Sequence, residues 1–169
     1  MTYREMKDRV SDITTSVGGS FALRFCKAVK KGIADIVSFI PICVCEHYVL
    51  HESVIDICKL KRQCFEVRAV KADDGTDIPF EVQTASQYID VPLNVRSCTV
   101  CYRYIPHRME SYQDEPDIPK ELHELLYLYV LAKEYCKDED AQEAMMLYEK
   151  KRDEIIENLK DKFLVMKDE

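Results

Sequence analysis

Tryptophan is absent from the 169 residues, glycine occurs only four times, and no apolar run approaches the roughly 18 residues that a membrane-spanning helix needs. With so little glycine the chain is not loop-rich, and Gly18-Gly19 is too short to cradle a phosphate. The stretch from Met1 to Val10 is too polar for a signal peptide, so the sequence predicts a protein made and used without secretion and with no membrane partner. Nor is there a GxSxG elbow, a Walker loop or an HExxH pair, and the expectation is a protein that is not an enzyme and carries no cofactor.

A basic balance is missing too. The formal net charge is −7, which argues against sequence-specific nucleic-acid binding while allowing an acidic surface to face a duplex without gripping it. The charge is divided unevenly: residues 1–109 hold 15 Lys/Arg against 13 Asp/Glu, whereas residues 110–169 hold 9 against 18.

What is present is 47% hydrophobic and 33% charged, the composition of a globular chain long enough to bury a real core. Met6, Val10 and Ile13 recur at helical spacing between Thr2 and Thr14, with Thr2 as a cap and Gly18-Gly19 as a stop. Ser20 can cap a second helix that carries Phe21, Phe25, Ala28, Val29, Ile33, Ile36, Val37 and Ile40 until Pro41, and Gly32 should weaken it only slightly. From Ile42 to Ile105 β-branched and aromatic residues take over, with strands expected near 42–50, 54–60, 64–71, 78–83, 87–90 and 95–105. Gln63 to Phe80 reads as a hairpin turning at Ala72 to Thr76. A polar hinge from Glu110 to Asp117 leads to Pro119 and a third helix near 119–136, then, after a very short connector, to a fourth that presents Ala141, Ala144, Met145, Tyr148, Ile155, Ile156, Leu159 and Phe163. Glu149, Asp153 and Glu157 on that helix, interleaved with Lys150, Lys151 and Arg152, read as an ordinary solvated face.

The expected fold is therefore α+β: a helical bundle, built from two N-terminal helices and a C-terminal antiparallel helical hairpin, with a small inserted antiparallel β module. It is read as one domain, with N-terminal helices over 1–41, the β module over 42–109, and the hinge and hairpin over 110–169.

Eight cysteines lie within strand and helix patterns and are expected to be free, buried thiols in a reducing cytosol. In Cys98-Thr-Val-Cys101 the two sulfurs should face opposite sides of a strand, which opposes redox or zinc chemistry. Cys43, Cys45 and His47 alternate on one strand face, with His51 following, and come nearest to a metal constellation; a closed site would need a second element, and no metal is assigned.

Two features point to an interaction surface. The ten tyrosines are enriched around the last strand and the hairpin, including Tyr112, Tyr127, Tyr129, Tyr135 and Tyr148. The third helix is apolar nearly all round: if Leu122, Leu125 and Tyr129 face its own subunit, then Tyr127, Leu128 and Leu131 are candidates to meet another, followed by the strand-end residues Tyr102, Arg103 and Tyr104.

On the segments FEVRAVKADDGTDIPFEV, VRSCTVCYRYIPHRM and PKELHELLYLYVLAKEYCKDEDAQEAMMLYEKKRDEIIENLK, and on the order of elements over nearly its whole length, the chain resembles the head-to-tail adaptor (connector) proteins of tailed bacteriophages. That resemblance implies a structural virion protein in the neck between capsid and tail. Such adaptors form a ring, typically of twelve copies, bind the portal protein and tail proteins, and extend the channel through which genomic DNA passes without sequence-specific binding. Alternatives are a tail-completion or stopper protein, or, from another class, a small cytoplasmic metal-binding or redox protein using Cys43, Cys45, His47 and His51.

Overall fold

The computed structural model describes residues 1–14, 19–107, 109, 113–134, 138–159 and 164–166. The chain divides into two compact units: Met1–Pro41 with Pro106–Leu164, and Ile42–Ile105 with Val165–Glu169.

The first unit contains helices α1 (Tyr3–Thr14), α2 (Gly19–Phe39), α3 (His123–Glu134) and α4 (Asp138–Leu159). A capping box starts α1: Thr2 Oγ1 accepts the Glu5 amide at 3.2 Å, and Glu5 Oε2 accepts the Thr2 amide at 2.8 Å. A single 3-10 turn, Lys120–Leu122, follows Pro119 and leads into α3. Nine of the twelve α3 residues are buried, because α1, α2 and α4 all pack against it. Leu122, Leu125, Leu126 and Val130 are fully covered, as are Met6 and Val10 of α1 and Phe25 and Ile36 of α2. Helix α2 comes so close that a Cβ on Gly32 would lie 2.7 Å from Leu126 Cδ1 and 2.8 Å from Tyr129 Cδ1. Tyr129 in turn meets the Tyr148 ring edge-on at 5.3 Å, and the Tyr148 hydroxyl donates to Asp35, so α2, α3 and α4 share one packed seam.

In the second unit the strands are β1 (Ile42–Val49), β2 (Val54–Asp56), β3 (Cys64–Lys71), β4 (Glu81–Gln83), β5 (Tyr88–Asp90) and β6 (Ser97–Tyr104), with the C-terminal β7 (Leu164–Met166). One sheet has the order β3-β6-β1 with β7 beside β1; the other has the order β2-β5-β4. β6 is antiparallel to both β1 and β3, and its residues Cys98, Val100, Cys101, Tyr102 and Tyr104 are all buried, as suits a central strand. In the small sheet Ile55 pairs with Ile89, and both side chains are buried.

The expected arrangement of helices and strands is corrected here. The chain is α+β and runs from two N-terminal helices through a strand-rich middle to a helical hairpin, but it does not form an N-terminal pair and a C-terminal pair around one small module. All three other helices pack on α3, the strands form two separate sheets, and β7 returns the C-terminus to β1, so the β part is not a simple insertion. The physical reason is the continuous apolar surface of α3, which demands cover on every side and makes that helix the hub.

The expected hairpin over Gln63 to Phe80 is also reduced. The turn forms, with Gly75 at φ +85° and the Ala72 amide bonded to the Thr76 carbonyl at 2.8 Å, but the return leg makes only a single bridge, Lys71 with Asp77. β3 pairs with β6, some thirty residues on, and β4 pairs with β5. The strand expected over 54–60 stops at Asp56, whose carboxylate caps a 3-10 turn by accepting the Cys58 amide at 2.9 Å. Gly18, Glu110, Tyr112, Tyr135 and Phe163, named above, and residue 136 at the end of the expected third helix lie outside the described residues, as does the side chain of the expected cap Ser20.

Candidate functional site

Three polar clusters in the β unit test whether its chemistry is more than structural. The first surrounds Glu46, a carboxylate only 5% exposed. Its oxygens accept the Tyr48 hydroxyl at 2.9 Å, the Tyr102 hydroxyl, and the Lys61 amide at 3.2 Å, while Tyr102 Oη accepts the Arg62 amide at 3.2 Å. Burial, and then the hydrogen bond to Glu46, push both tyrosine pKa values well above the usual phenol range. These are paired groups in a closed seam that fastens the 60–62 segment to β1 and β6.

The second cluster joins a serine, an aspartate and a histidine on the surface. Asp73 accepts the Ser97 hydroxyl at 2.5 Å and faces His47 Nε2 at 3.2 Å. Those bonds, Ser97 first, hold the Asp73 carboxyl below its ordinary value. The order is wrong for a serine–histidine–aspartate relay, since the carboxylate sits between the hydroxyl and the imidazole and it is Asp73, not His47, that accepts the Ser97 hydroxyl.

The third cluster overturns an expectation. Cys45 and Cys101 form a disulfide, with S–S 2.03 Å and Cα atoms 4.1 Å apart, so the eight thiols are not all free. The reason is register: Cys45 lies directly opposite Cys101 on adjacent antiparallel strands. Cys98 is free and buried, Cys43 is free and buried with its thiol pushed up to about 11 chiefly by burial, and Cys64 is pushed up to about 11 for the same reason. With Cys45 bonded, His47 on Asp73 and His51 exposed beyond β1, the candidate ligands do not converge, and no group of three His, Cys, Asp or Glu among the described residues is placed to hold a metal ion.

The six residues expected at an interface fall in both units. In the helical unit Tyr127 is buried with the Arg9 guanidinium over its ring at 4.1 Å, Leu131 is buried, and Leu128 is half-buried. On β6 Tyr102 is fully buried on Glu46; Arg103 is half-buried, 3.6 Å from Glu66 and over the Phe65 ring at 5.3 Å; and Tyr104 is buried with Arg62 over its ring at 5.1 Å. Four of the six are thus buried within the chain, and Leu128 and Arg103 stay partly open.

Two stripes of the helical unit carry its most exposed apolar side chains. On α4, Met146 is 69% and Leu147 50% exposed, in a stripe with Glu139, Glu143 and Lys150 at helical spacing. On α2, Leu23 is 70% exposed, in a stripe with Lys27, Lys30 and Lys31. None of these charged side chains forms an ion pair among the described residues. Neither stripe is among the surfaces expected from the sequence. The available signal was the contiguous run Met145-Met146-Leu147, which no single buried face of a helix accommodates.

Two further buried groups are satisfied. Glu134 is covered, its carboxyl held above the usual range by burial, and meets Arg24 at 3.3 Å. His123 stands 3.0 Å from the Met1 ammonium through Nδ1 and 3.1 Å from the Ile118 carbonyl through Nε2. No helix among the described residues is long and apolar enough to cross a membrane. Neither a protein-family model nor a characterised protein matches the sequence.

Proposed function

We propose that the chain is a structural virion protein of a tailed bacteriophage, a head-to-tail adaptor that forms a ring at the portal, extends the DNA channel and carries tail proteins. It works without catalysis, metal or cofactor, and genomic DNA passes it without sequence-specific binding. The observation that carries the reading is the outward face of α4, where Met146 and Leu147 stand in water on a helix whose opposite face is closed by Ala144 and Tyr148. A helix with one face packed and a second apolar patch open is built to meet another surface. The resemblance supplies the kind of assembly, and the 22-residue α4 favours an adaptor over a tail-completion or stopper protein, for which a shorter terminal hairpin is expected. The metal-binding alternative is weakened because Cys45 is bonded to Cys101 and supplies no free thiolate.

The test is co-sedimentation of the purified protein with DNA-filled capsids that carry a portal but no tail, followed by electron microscopy of the vertex. A ring of density at the portal is the expected result. Equal recovery with portal-free shells would sink the reading.

A further inference from the structure

We propose that the Met146–Leu147 stripe of α4 is the docking site for α2 of a second copy of this chain, lying antiparallel on it. Leu23 then seats on Met146 and Leu147. In that register Lys27, four residues beyond Leu23, faces Glu143, three to four residues before the apolar pair, and Lys30 and Lys31 face Glu139. The spacings agree because seven residues of helix span about 10 Å on either element. All of these side chains are exposed, and the charged ones are without an ion pair among the described residues. The parallel alignment is worse, since it sets Lys27 against Lys150 before Lys30 and Lys31 reach Asp153 and Glu154, and Asp153 is already paired with Arg152.

Opposite signs on two different helices of one unit make the contact heterologous. Each copy offers one acidic and one basic stripe, and the contact repeats until the rotation per subunit closes it into a ring. The inference rests on the adaptor reading only in that both require copies of the chain to associate, and it is tested on the purified chain alone.

Sedimentation velocity compares the wild type with two charge-reversed variants, E139K/E143K and K27E/K30E/K31E, chosen because exposed substitutions leave folding intact. The wild type should associate, more weakly at high salt, and each variant should associate roughly ten- to a hundredfold less tightly, since attractions become repulsions. Mixing the two variants should restore association, because the reversed α4 of one fits the reversed α2 of the other. Far-ultraviolet circular dichroism checks that each variant is folded. If the wild type and both variants associate equally, this contact is wrong while ring formation stands. If the wild type stays monomeric yet decorates portal vertices, this contact is again wrong while the adaptor reading stands.

Discussion

Gly32→Ala is the sharpest probe of the hub arrangement, because its sign depends on whether α2 and α3 touch as described. In an uncrowded helix interior the substitution stabilises by about 1 kcal/mol, since alanine is the better helix former. At Gly32 the added carbon would fall 2.7 Å from Leu126 Cδ1 and 2.8 Å from Tyr129 Cδ1, whereas two carbons prefer about 3.5–4.0 Å. Neither neighbour has room to retreat. Leu126 is fully buried, and the Tyr129 ring is held edge-on against Tyr148, itself anchored to Asp35. Overpacking of this kind costs about 1–3 kcal/mol, so after the propensity gain the net expectation is a loss of up to about 2 kcal/mol and a melting temperature lower by up to about 8 °C.

Urea and thermal unfolding followed at the helical far-ultraviolet band measure the effect, with Ala34→Gly on the exposed side of α2 as a reference for propensity alone. The reference should lose about 1 kcal/mol. Should Gly32→Ala instead gain stability by a similar amount, α2 does not approach α3 at this point and the hub description fails.

Three other expectations follow from particular contacts. Alkylation in denaturant without reductant should label two fewer cysteines than after reduction, and C45A/C101A should lose about 2–4 kcal/mol, given the 56-residue separation of the bonded pair; full labelling without reductant would contradict the bond. Glu46→Ala strands two tyrosine hydroxyls and the Lys61 amide in a buried seam and should cost about 3 kcal/mol in chemical denaturation, so a near-neutral result would mean the seam is open to water. The His123 pKa is depressed by burial first and then by the neighbouring Met1 ammonium, so the helical unit should be at full strength above the ordinary histidine value of 6.5 and weaken as the pH falls below it; His123→Gln should remove that part of the slope, and an unchanged slope would refute the assignment.

Local pattern in the sequence carried the helices well. Thr2 and Glu5 form the box that starts α1, and Phe21, Phe25, Ala28, Val29 and Ile36 are the buried positions that the α2 period indicated, whereas Ile13 on α1 is 51% exposed. What failed was information that lives between distant segments. Nothing adjacent to Cys64–Lys71 says that its partner is Ser97–Tyr104 rather than the segment just after the turn, because pairing is decided by burial of the whole sheet. The same gap hid the disulfide: within β6, Cys98 and Cys101 were correctly too far apart in orientation to bond, but the partner of Cys101 lies on β1 and is fixed by register, not spacing. The burial of Tyr127 and Leu131 and the half-burial of Leu128 were not legible either, since the cover that α1, α2 and α4 together give α3 cannot be read from α3 alone.

Charge shows how the same residues change meaning once folded. Along the sequence the excess of acid after residue 110 looks like a property of the C-terminal part, set against a nearly balanced remainder. Folding places the basic α2 and the acidic α4 in one unit, joined through Tyr148 to Asp35 and through Arg152 over the Phe39 ring at 4.6 Å, so a difference between chain segments becomes a difference between two helices of one body. Uniform acidity over that body would make copies repel; segregated signs allow them to meet in one orientation while like faces still push apart. In the proposed contact the exposed Leu23 and the Met146–Leu147 pair would add short-range contact where the long-range attraction brings the stripes together, whereas the buried tyrosines of β6 and α3 are held within each unit by Glu46, Arg62, Arg9 and Tyr148.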